Sequence, residues 1–153
     1  VDFVQGVLAS NPLQSDYFFW IDGGFAHGLH KRFRYRRVIG RPWPNPQKND
    51  LMKDTILVVQ TRDVHERRDI VGVFTYHDAM LSGNIWGGDR KRMLVYCSEF
   101  KTELRWAFEQ NLMDDDQAVM TAVYLKHPEM FSLVDCSSSL RDRGYMLKYL
   151  DGR

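Results

Sequence analysis

Residues 17–24 read Tyr-Phe-Phe-Trp-Ile-Asp-Gly-Gly, and no other stretch limits the fold as tightly. Five consecutive apolar residues suit a strand buried on both faces, as in a sheet covered by helices. Asp22 ends the run and two glycines release the chain into a loop. Open α/β sheets hold their ligands beyond the carboxyl ends of the strands. An unpaired buried carboxylate is costly, so an acid at this place calls for a partner. A divalent cation is one such partner; the amides of the Gly23-Gly24 turn are another.

The remaining pattern is that of an α/β layer fold. Val1 to Ala9 reads as a helix with Phe3, Val4, Val7 and Leu8 on one side, broken at Asn11-Pro12. Thr55–Val59 and Ile70–Tyr76 read as buried strands, with the charged stretch Arg62–Asp69 between them as a solvated turn or short helix. Ser82 to Gly88 reads as a strand tip or a tight backbone approach. A long helix follows from about Asp89 to Asn111, with Met93, Cys97, Phe100, Leu104, Ala107 and Phe108 at helical spacing. Asp114-Asp115-Asp116-Gln117 opens another helix, where acids suit the free amides of a first turn. Val119, Met120, Val123 and Tyr124 give that helix its buried face, and Pro128 stops it. Met130–Val134 is a last strand, and the tail from Ser137 is polar and basic.

The chain has 153 residues, enough for a single domain with a real core. A net charge of +1 excludes strong global steering toward nucleic acid. No apolar run approaches the roughly 20 residues that cross a bilayer. The segment from Val1 lacks the basic start and apolar block of a signal peptide. Cys97 and Cys136 lack the spacing of a zinc site or a disulfide framework, and Cys97 falls on the apolar side of its helix. A start at Val1 without Met suits a piece of a longer chain, with an upstream anchor or targeting segment beyond it. The expected location is cytoplasmic or membrane-associated.

Phe18-Phe-Trp-Ile-Asp-Gly-Gly resembles the metal-binding Asp strand of GT-A glycosyltransferases. The continuation is most similar to bacterial HtrL/YibB-type proteins, whose strand reads approximately WIDAG with a His nearby; here His27 follows in Asp22-Gly-Gly-Phe-Ala-His. Gly87-Gly88 before a long helix, then Asp115-Asp116-Gln117-Ala118-Val119, then His127-Pro128-Glu129-Met130-Phe131 stand in that family's order. The resemblance covers roughly residues 1–135. It implies a GT-A-like mixed sheet flanked by helices, and a sugar-nucleotide-dependent transferase associated in bacteria with surface polysaccharide loci. Gly24 stands where the usual Asp-x-Asp motif carries its second acid. A complete GT-A domain also begins with an upstream nucleotide-binding half. The resemblance therefore implies a single domain over 1–153 that forms the C-terminal part of the full fold, or a nucleotide held by other means.

On this reading Asp22 ligates Mn²⁺ or Mg²⁺, hard cations that prefer carboxylate oxygen, and His27 is a second ligand or a phosphate contact. As a surface-loop residue, His27 does neither. Asp115 and Asp116 are the candidates for a catalytic carboxylate, a base in an inverting reaction or a group facing the anomeric carbon in a retaining one, with one of the three acids as the helix cap and another solvated. Gln117 can bond a sugar hydroxyl. Gly87 and Gly88 bring backbone close to substrate at a helix N-terminus, or else form a tight turn of positive φ. Trp86 and Trp106 can stack on a sugar face or pack in the core. The basic run Lys31–Arg41, with Phe33 and Tyr35 interleaved, can hold phosphate or an acidic acceptor, read as a nucleic-acid patch, or form a solvated loop. His65 reads as a surface residue, and His127 as a cap on helix-end carbonyls. The expected reaction transfers a sugar from a nucleotide-sugar donor to a glycan or lipid-linked acceptor. Two other classes fit parts of the pattern: a non-catalytic module binding a glycan or a partner, and a metal-dependent phosphoester hydrolase reusing one strand-end Asp.

Overall fold

The computed structural model describes residues 1–23, 43–62, 69–76, 80–135 and 145–151. His27, the run Lys31–Arg41, His65 and Cys136 lie outside them. Four strands form one mixed sheet: β1 (Tyr17–Ile21), β2 (Ile56–Gln60), β3 (Leu81–Asp89) and β4 (Phe131–Asp135). Their order is β1-β3-β2-β4, with β3 antiparallel to both neighbours and β2 parallel to β4. The helices are α1 (Asp2–Ser10), α2 (Ile70–Thr75), α3 (Arg90–Glu109), α4 (Asp116–Lys126) and α5 (Tyr145–Asp151), with a 3₁₀ helix at Pro46–Met52.

Alternation along β2 sets the layers. Ile56 and Val58 face one core, shared with Leu8, Val73, Met93, Tyr96, Cys97, Val119 and Val123 of the helices. Leu57 and Val59 face a second core with Met52, Ile85, Val134, Met146 and Leu150. A strand buried on both faces loses the polar alternation of a one-sided sheet, which is why Ile-Leu-Val-Val reads as an unbroken apolar run. The tail, polar and basic in sequence, thus supplies α5 as part of the second cover.

Three expectations are corrected. Ile70–Tyr76 is helical rather than a strand. Asp69 caps it by accepting from Val71 N at 3.1 Å, and Val73 and Phe74 pack into the helical core; tertiary burial overrides the β-branched composition. Tyr17–Ile21 is only partly buried, because β1 ends the sheet among the described residues. Gly87 and Gly88 lie inside β3 and form no tight turn of positive φ before the helix. The long helix forms as expected, capped by Asp89. Phe108 is 53% exposed and Phe3 76%, so each sits off its helix's buried stripe.

Candidate functional site

β3 is irregular near its N-terminal end. Val58 faces Trp86, yet Gln60 faces Leu81, so β3 carries extra residues around Ser82-Gly83-Asn84. These are turn-forming types, and Asn84 N donates to Ser82 Oγ at 3.3 Å. Bulges of this kind re-aim side chains and recur beside functional sites. On the other side, β1 pairs with β3 as far as Ile21 opposite Ile85, and Asp22 N then donates to Asn84 O at 2.8 Å. The first candidate acid is thereby fixed at the bulge.

Helix α4 arrives at the same place. Asp115 is its N-cap, and its Oδ1 accepts from Gln117 N at 3.0 Å and Ala118 N at 3.1 Å. The buried Thr121 hydroxyl donates to Gln117 O at 2.8 Å and accepts from Met80 N at 3.3 Å, tying the first turn of α4 to the start of β3. The fit at Gly83 is close. A Cβ there would stand 3.0 Å from Gln117 Cγ and 3.4 Å from Asp116 Oδ2. Asp22, Asp116 and Gln117 therefore converge on two adjacent residues of β3.

The electrostatics follow from that convergence. Desolvation pushes the Asp116 carboxyl above its ordinary value; the negative charges of Asp115 and Asp22 push it further, against the amides of Asp116 and Gln117. Asp116 keeps one side open to solvent, as do Asp22 and Asp115. Exposure of Asp22 means that no burial cost obliges it to take a cation. The site is instead a solvent-facing concentration of negative charge with one proton-retentive carboxyl.

The other candidates separate. Asp115 is committed to capping, which leaves Asp116 as the acid facing the bulge. Trp86 is 4% exposed, stacked on Trp20 at 6.5 Å and edge-on to Tyr96 at 5.0 Å, so its face is closed to a sugar. Trp106 is partly buried against Phe74 and lies under the Lys126 ammonium at 5.1 Å. Gly87 and Gly88 have a packing reason: added Cβ atoms would meet Phe18 O at 2.3 Å and Thr55 O at 2.2 Å. They adopt no positive φ. They also sit at the far end of β3 from Asp22. Cys97 is fully buried, and desolvation raises its thiol, an inert core setting. Backbone Val123 O accepts from His127 N at 2.9 Å, while the imidazole lies 3.4 Å from Glu99. Ser82, Gly83 and Asn84, part of the stretch whose sequence reads as a strand tip or a tight approach of backbone to ligand, form the bulge itself, and three turn-type residues inside an apolar strand pattern are its signal.

Among the described residues no three His, Cys, Asp or Glu side chains gather to hold a metal ion. The exposed Asp22 carboxylate is a suitable donor for Mg²⁺ or Mn²⁺, which commonly use one or two protein acids plus phosphate oxygens. No helix among those residues is long and apolar enough to cross a membrane.

A family model described as a bacterial protein of unknown function, HtrL_YibB, matches residues 1–141. No curated protein matches the chain. No solved structure matches it either.

Proposed function

This chain belongs to the HtrL_YibB family, and from that premise we propose that it is a glycosyltransferase with a GT-A-like fold, moving a sugar from a nucleotide-sugar donor to a glycan or lipid-linked acceptor. The observation that carries the reading is the meeting of Asp22 and Asp116 at the β3 bulge, with Asp22 close enough to raise the proton affinity of Asp116. Asp22 is the described residue that would hold Mn²⁺ or Mg²⁺, with Asp116 left as the acting carboxylate beside it. When bound, the ion neutralises the diphosphate of the donor and of the departing nucleotide.

The chain's own residues do the rest. The backbone of Asp22 is fixed at the bulge because its amide is tied to Asn84. Asp116 is placed by the first turn of α4, which Asp115 caps. Its raised proton affinity suits a group that takes a proton from an acceptor hydroxyl. Gln117, packed on Gly83, supplies an amide for a sugar hydroxyl. Gly83 keeps the bulge narrow enough for both side chains to lie on it.

Calorimetry with Mn²⁺ and a panel of nucleoside diphosphates tests the reading. Asp22→Ala is expected to abolish metal-dependent nucleotide binding while the melting curve stays cooperative. Wild-type binding by the variant would refute the role of Asp22. Glycan binding that persists without metal or nucleotide would instead mark a binding module.

A further inference from the structure

β3 carries three glycines, Gly83, Gly87 and Gly88, and their surroundings differ. At Gly87 and Gly88 the atom nearest an added Cβ is a backbone oxygen. At Gly83 the three nearest atoms all belong to side chains: Gln117 Cγ at 3.0 Å and the two Asp116 carboxylate oxygens at 3.4 and 3.6 Å. Gly83 has no positive φ, so its backbone does not itself demand glycine. What a side chain at this position would disturb is the pair of residues at the candidate site.

An added methyl has two ways to find room. Either α4 moves off the strand, or the two side chains swing away. Thr121 decides between them. It is fully buried. Its hydroxyl donates to Gln117 O at 2.8 Å within α4, and accepts from Met80 N, one residue before β3, at 3.3 Å. A hydroxyl has one proton to give. Because that proton goes to the carbonyl of Gln117 itself, the lone pair that holds Met80 keeps a fixed relation to the first turn of α4. Withdrawing the helix would leave the buried Met80 amide without an acceptor, a costly state. The helix therefore stays, Gln117 gives way, and a methyl at position 83 would cover the Asp116 carboxylate.

We propose that Thr121 and Gly83 are positioning residues for Asp116 and Gln117. The Thr121 hydroxyl sets the height of the α4 first turn above β3, and the side chain that Gly83 lacks is the space in which both site residues lie. The proposal rests on the reading of Asp116 as the acting carboxylate.

The test follows two NMR signals, the Gln117 side-chain amide and the Asp116 backbone amide, with the amides of Ile56–Val59 as the reference for an intact sheet. Gly83→Ala is expected to move both signals and leave the reference in place. Beside Gln117→Ala, which removes the nearest atom, Gly83→Ala should move the Asp116 signal far less. Thr121→Val should move the Asp116 signal, and Thr121→Ser, which keeps the hydroxyl, should restore it. Unmoved signals in Gly83→Ala, or a Thr121→Ser variant no closer to wild type than Thr121→Val, would overturn the proposal. On the donor identified by calorimetry, Gly83→Ala should lower kcat about tenfold or more with KM little changed. Moved signals in a chain whose wild type turns over no sugar nucleotide leave the mount standing and sink the transferase reading. Equal turnover by wild type and Gly83→Ala keeps that reading and sinks the mount.

Discussion

The two ends of β3 each set an aspartate at the start of a helix, and the two aspartates have opposite fates. At the C-terminal end, both oxygens of Asp89 are consumed. Oδ1 accepts from Arg92 N at 3.0 Å and Oδ2 from Asp54 N at 2.6 Å. Beside it, Arg90 spends its guanidinium on the last carbonyls of α1, at 2.7 Å to Leu8 O and 3.2 Å to Ala9 O. Gly87 and Gly88 let neighbouring backbones close around this end. At the other end the strand bulges. One acid caps the helix, and a second remains under the charges of Asp115 and Asp22. Helix-start acids alone do not distinguish a joint from a site; the difference is that Asp89 is held by two amides while Asp116 is crowded by the like charges of Asp115 and Asp22.

If that contrast is real, substitutions at the closed end should act on stability and those at the acid end on chemistry. The largest effect is expected for Gly88→Ala. Its Cβ meets a backbone oxygen that cannot yield, so urea denaturation should show a loss of about 3 kcal/mol or more; an unchanged midpoint would break the account of that end. Asp116→Asn should lower turnover of the donor identified by calorimetry by about 10², and undiminished turnover would remove Asp116 from the mechanism. Asp89→Ala should cost about 2 kcal/mol through two lost amide acceptors, read from the same urea curves. Asp115→Ala should cost about 1 kcal/mol and Asp115→Asn almost nothing, since Asn caps as well as Asp; equal losses would show the charge, rather than the cap, to matter.

The smallest effect carries the sharpest sign. The folded state raises the Asp116 pKa, so folding favours the protonated acid. Its contribution is present below the ordinary value of 3.8 and is lost as pH rises through the folded value. Removing the charge should therefore raise the melting temperature at pH 7 by about 1–3 °C, with the gain vanishing below pH 3.8. A variant less stable than wild type at pH 7 would show that Asp116 belongs with the structural caps.

Much of the fold could be read from the residues, because their local and tertiary demands agree. Ile56–Gln60 is buried on both faces, and the α3 stripe of Met93, Cys97, Phe100 and Ala107 keeps one helical spacing. Ile70–Thr75 was misread because its β-branched residues serve a core that a capped helix also fills. The acids of the site were legible as residue types at a strand end and a helix start. Their meeting was not. It depends on a register slip between Gln60 and Leu81, and no local pattern encodes where the remote helix will land on that slip. Trp86 misled for the complementary reason: an indole beside glycines resembles a sugar platform until the sheet partner Trp20 covers it.

The family match stops at residue 141, whereas Met146 and Leu150 of α5 close the second core over Leu57, Val59 and Val134. Trimming the gene at the end of the match would strip an oily lid from the sheet's other side. The shortened product would then be prone to stick to itself, and inclusion bodies from it would say nothing against the acidic mouth on the opposite side.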